Sequence, residues 1–185
     1  ICMTKRGYIR LFSYTIAIVA VLAGFAIMNM NMAATYKAQL ENNYQQSLNE
    51  LSETMDSIET NLTKSVYSNS DKMLFEISSD LYSQCNEAKD ALSRLPVGQM
   101  NLSSTYKFIS QAGDYATYIA QKAASGEKIS DEEHKNLSTL LNYANQLNDS
   151  IASMVSVCNN GGRITASNVK NKNNVSINSL TNDIT

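Results

Sequence analysis

The chain has no tryptophan, one proline and 7 glycines in its 185 residues. A β-sandwich or barrel needs a turn signal about every 8–12 residues, and so few breakers cannot supply them. Three cysteines are too few and too scattered for a disulfide scaffold. A single histidine, His134, restricts metal and acid–base chemistry from the outset. Charge of one sign is also missing: 15 Lys and Arg stand against 17 Asp and Glu, a net of −2. That balance argues against holding nucleic acid on a basic surface. What is present is 43% hydrophobic residues, enough to bury a core. The length allows one modest domain, or one domain with an accessory segment. The composition therefore favours long helices.

Lys5, Arg6 and Arg10 come early, and no further charged residue occurs until Lys37. Inside that gap residues 11–28 read LFSYTIAIVAVLAGFAIM, apolar on every side. A helix needs roughly 20 such residues to cross about 30 Å of hydrocarbon. Residues 11–33 are thus expected to be a transmembrane anchor. The basic segment 1–10 lies in the cytosol and orients the remainder outward, with Lys5, Arg6 and Arg10 setting the topology. A cleaved signal peptide has a shorter apolar core and an A-x-A-like site. The run here is longer, and no A-x-A stands near its end. Met3 resembles a natural start, with Ile1 and Cys2 before it. Cys2 has no upstream apolar signal, so it does not fit a lipoprotein cysteine.

Residues 34–160 read as four amphipathic helices. In the first, over residues 34–68, Leu40, Tyr44, Leu48, Leu51, Met55, Ile58, Leu62 and Val66 recur every three or four positions. No breaker separates it from the span. The second covers residues 72–94 with Leu74, Ile77, Leu81, Cys85, Ala88, Leu92 and Leu95 as its stripe, and Pro96 stops it. Residues 97–101 are expected to be a loop. The third covers residues 103–124, with Tyr106, Ile109, Gly113, Ala116, Ile119 and Ala123 on one face. Gly113 costs a helix about 1 kcal/mol relative to Ala, which points to a packing reason. The fourth opens on the capping box Ser130-Asp131-Glu132-Glu133 and runs to Gly161-Gly162. Short links between long helices imply an antiparallel four-helix bundle behind a single amino-terminal transmembrane helix. Residues 161–185, rich in Asn and Ser, are expected to be a polar linker or the opening of a further domain.

Little in this pattern supports catalysis. A di-metal bundle site needs two E-x-x-H motifs, and one His cannot complete it. H-E-x-x-H, the P-loop and G-x-S-x-G are absent. Cys85 and Cys158 sit on apolar stripes, where a thiol is usually an inert small hydrophobe. A Cys85–Cys158 disulfide stays open as an alternative. Paired acids, Glu132 with Glu133 and Glu76 with Asp80, read as solvated faces or capped termini. Tyr115 and Tyr118 flank Ala116 and cannot both face the core. No catalytic residue, metal ligand or cofactor is assigned.

Four segments, in order, resemble the YpeB family of spore-germination proteins. They are Glu41-Asn42-Asn43-Tyr44-Gln45 with Leu48 and Leu51, then Leu95-Pro96, then residues 108–118 (FISQAGDYATY), then Ile129-Ser130-Asp131-Glu132-Glu133 with Leu137 and Leu140. The resemblance covers about residues 10 to 160. It implies a spore inner-membrane protein facing the cortex. Its partner would be the cortex-lytic enzyme SleB, which such proteins retain and stabilise. PepSY-type domains follow the helical region in that family and lie outside this sequence. The chain is then expected to be a non-enzymatic accessory protein touching its partner and the lipid bilayer, with no nucleic acid. Contact residues are expected around Pro96 and at Gly113, Asp114, Tyr115 and Tyr118. Packing by Gly113 and Asp114 is the competing explanation, and self-association stays open. The rival function is an extracytoplasmic four-helix-bundle sensor domain of a membrane receptor, which needs a second span to return its signal.

Overall fold

Nothing in the sequence interrupts a helix before residue 68, and one helix, α1, covers Lys5–Tyr67 in the computed structural model, which describes residues 5–164. Then follow α2 (Asp71–Ser93), α3 (Val97–Met100), α4 (Ser103–Ala124) and α5 (Asp131–Asn159). No strand occurs among the described residues. The chain is all-α, with an apolar helix at its amino-terminal end. It divides into two compact units, Ile1–Leu40 and Glu41–Thr185.

In the first unit Phe12, Ile16, Val19, Leu22 and Phe25 are each more than half exposed. Leaving a Leu-sized side chain in water rather than burying it forfeits about 1.5–3 kcal/mol, so this surface suits hydrocarbon. It belongs to the one helix among the described residues that is long and apolar enough to cross a membrane. Lys5, Arg6 and Arg10 lie in its first two turns.

In the second unit the apolar stripes turn inward. Leu51, Met55, Ile58 and Leu62 of α1 are fully buried, as are Cys85, Ala88 and Leu92 of α2. Phe108, Ile109 and Ile119 of α4 join them, with Leu140, Leu147 and Ile151 of α5. Polar contacts tie the helices pairwise. At the end of α2, Arg94 donates from Nε to Ser47 Oγ (3.2 Å) and pairs with Glu50, so α2 returns alongside α1. Asn148 of α5 donates to Asp56 and to Glu59 of α1, the latter at 2.8 Å. The backbone N–H of Ile164 donates to Glu41 Oε1 at 2.7 Å, with the Ile164 side chain 1% exposed.

Two sequence expectations are corrected here. Residues 97–101 are not a plain loop: α3 is a helical turn behind Pro96, closed by Met100 N–H to Pro96 O (3.1 Å). Burial explains it, since Met100 and Leu102 both enter the core. Asn101 takes φ 58°, a left-handed conformation that Asn tolerates better than most residues. Tyr106 does not share the core face of α4; it is 51% exposed, and Thr105 and Phe108 point inward instead. The linker expected over residues 161–185 lies largely outside the described residues, as does Cys2.

Candidate functional site

Helical spacing puts Tyr115, Tyr118 and Lys122 on one face of α4, three and four positions apart. The turn after Ala124 brings the first turn of α5 against that face; Gly126 adopts φ 75°, open to glycine at no steric cost. Ser130 then caps α5. Its Oγ accepts from Glu133 N–H at 3.3 Å, and its own N–H donates to Glu133 Oε2 at 2.6 Å, so the anticipated capping box is formed.

Glu133 does more than cap. Its carboxylate also accepts from Ser130 Oγ (2.8 Å), from Tyr118 Oη (2.5 Å) and from Lys122 Nζ (2.6 and 2.7 Å). Its backbone carbonyl accepts from Tyr115 Oη at 3.1 Å. The Tyr115 and Tyr118 rings lie 5.8 Å apart, tilted by 32°. Of the two readings of this acid, a solvated face or a capped terminus, the capped terminus holds, and α4 adds cover that leaves Glu133 7% exposed. The signal that reveals this is the Tyr-x-x-Tyr-x-x-x-Lys spacing, which aims two hydroxyls and an ammonium at one place.

The electrostatics follow from these contacts. Burial opposes the Glu133 charge, but donors from Lys122, Tyr118 and Ser130 outweigh it and hold the carboxyl down at about 2. The hydrogen bond to Glu133 in turn raises both the Tyr118 phenol and the Lys122 ammonium. Burial pushes Tyr115 up to about 12. None of these four groups changes charge near neutral pH. A carboxylate already holding four donor groups is a poor base, and the cluster braces the α4–α5 corner instead.

The other singled-out residues are not in this cluster by hydrogen bonding. Pro96 is half-buried at the start of α3. Gly113 is buried against α2, where an added Cβ would lie 3.2 Å from Cys85 Cβ. Asp114 is exposed, one turn before Tyr118. Cys85 and Cys158 are buried free thiols, and burial pushes Cys85 up to about 12. Among the described residues no group of three or more His, Cys, Asp or Glu is placed to hold a metal. A shallow groove of about 470 Å³ between α1 and α2 is lined by Asp56, Thr60, Asn61, Lys64, Asp80 and Gln84, with Ser57. Without an apolar wall it lacks what usually holds a small molecule.

Comparison with known proteins bears on what this scaffold serves. The family described as YpeB N-terminal matches residues 32–166. A sporulation protein YpeB from Halalkalibacterium halodurans is 22% identical over 137 residues, 74% of this chain and 31% of the relative. That of Oceanobacillus iheyensis is 25% identical over 115 residues, 62% of this chain and 26% of the relative. That of Bacillus subtilis is 23% identical over 111 residues, 60% and 25% respectively. The chain thus spans about a quarter to a third of the curated relatives it matches. No solved structure matches it.

Proposed function

The chain belongs to the YpeB family of sporulation proteins, and from that premise we propose that it is a membrane-anchored accessory protein of spore germination. In this reading it binds, localises and stabilises a cortex-lytic enzyme of the SleB kind. The first unit anchors it in the spore inner membrane, with Lys5, Arg6 and Arg10 on the cytosolic side. The second unit faces the cortex and offers a surface to the enzyme. The observation that carries the reading is the family match over residues 32–166, set behind a helix able to cross a membrane. The braced Glu133 corner supports the binding reading because its hydrogen bonds fix the shape of that surface.

Protection of the partner is mass action. A protein that binds the folded enzyme and not its unfolded chain stabilises it by RT ln(1 + [L]/Kd). Spores lacking this protein should therefore lose the cognate cortex hydrolase, and the hydrolase should co-purify with the detergent-extracted protein. Hydrolase that persists at wild-type level in such spores, and that does not co-purify, overturns the reading. A zymogram of the purified protein on cortex peptidoglycan is expected to show no lysis.

A further inference from the structure

We propose that Tyr118 is the anchor of the surface through which the second unit holds its protein partner, and that the partner meets it with basic residues around an apolar tip. This rests on the accessory-protein reading and deepens it.

Tyr118 combines two properties that exposed side chains seldom share. Its residue surface is 47% exposed, yet its hydroxyl is fixed 2.5 Å from the buried Glu133 carboxylate. Its ring also lies against that of Tyr115, which is 5% exposed. Binding normally carries an entropic cost for each side chain it immobilises. Here folding has already immobilised the ring. A rigid aromatic with a polar end held down and an apolar face in solvent is the type of residue that dominates interface energetics.

The rim tells what the partner carries. Asp114 is exposed on the same helix, one turn before Tyr118. Asp131 and Glu132 are exposed in the first turn of α5, and Glu127 is exposed in the preceding turn. Against these four acids stand the exposed Lys128 and Lys135 and the half-buried Lys89 of α2, whose Nζ lies 4.0 Å from where a Gly113 Cβ would be; Lys122 is neutralised by Glu133. The excess is acidic, in keeping with the chain beyond Arg10, which has 12 basic residues against 17 acidic ones. A second copy docked about a two-fold axis would set these acids against themselves. A different protein with Lys or Arg around an apolar tip is the complementary occupant.

The test uses the full-length gene product in detergent and its cognate cortex hydrolase, with Kd measured across a salt series. Tyr118→Ala should weaken binding at least about 10-fold. Tyr118→Phe keeps the ring but cuts it loose from Glu133, and should give a smaller loss. Asp114→Lys alters only an exposed position and should weaken binding while flattening its salt dependence. Tyr106→Ala, an equally exposed aromatic on the same helix, should leave Kd unchanged. Should Tyr118→Ala fail to fold, Asp114→Lys decides alone. Wild-type Kd in both the Tyr118→Ala and Asp114→Lys proteins overturns the surface and leaves the accessory reading standing. Equal losses at Tyr106 and Tyr118, or a self-association that Tyr118→Ala abolishes, also overturn the surface. A wild-type protein that captures no hydrolase overturns both.

Discussion

At the scale of single residues, Glu133 sets the energetics of the α4–α5 corner. Replacing it with Gln leaves Lys122 without its counter-charge and Tyr118 with a weaker acceptor, at an expected cost of about 1–3 kcal/mol. The pH dependence has a definite sign. The folded carboxyl lies at about 2, below its ordinary value of 4.5. Its contribution is therefore fully present above pH 4.5 and is lost as pH falls toward 2. Thermal melting in detergent should show that acid slope in the wild type and a flatter one in Glu133→Gln. Cys85 makes a separate prediction. It is fully buried with its thiol pushed up to about 12, so it should resist alkylation at pH 8 in the folded protein and react on denaturation. Mass spectrometry of labelled peptides reads the difference.

At the scale of elements, close approach and capping decide which helices meet. An alanine at Gly113 would gain up to about 1 kcal/mol of helix propensity. Its Cβ, however, would lie 3.2 Å from Cys85 Cβ, an atom fixed to the α2 backbone. Gly113→Ala is expected to lower stability by about 1 kcal/mol net, and Gly113→Val by more, since overpacking costs about 1–3 kcal/mol. Ser130→Ala removes the cap of α5 and should cost about 1 kcal/mol in a denaturant titration. Arg94→Ala should cost little, because the Arg94–Glu50 pair is half-exposed. Much of this level is legible in sequence. The α2 stripe from Leu74 to Leu92, the 103–124 span and the Ser130 cap follow from spacing alone. What does not follow is a residue's fate when a second element decides it. Spacing alone puts Glu133 in the capping box, but not under α4, whose Tyr118 and Lys122 also reach its carboxylate. Residues 97–101 follow a proline and look unstructured, until Met100 and Leu102 find the core. Tyr106 matches the periodicity of α4 but stays half exposed, because Thr105 and Phe108 take the inward positions.

At the scale of the whole molecule, the charge near zero is an average over two unlike parts. Three basic residues precede the apolar run, and an acidic excess follows it. The first unit predicts retention in the membrane fraction after a carbonate wash; recovery in the soluble fraction would remove the anchor. The contact between Ile164 and Glu41 has a different consequence. Residues 123 positions apart in sequence meet through one hydrogen bond of 2.7 Å, so the stretch from Glu41 to Ile164 is closed on itself. The bond acts as a latch: the turn that carries Ile164 cannot lift away without releasing a side chain of α1. Fraying at one end of this stretch is therefore coupled to fraying at the other.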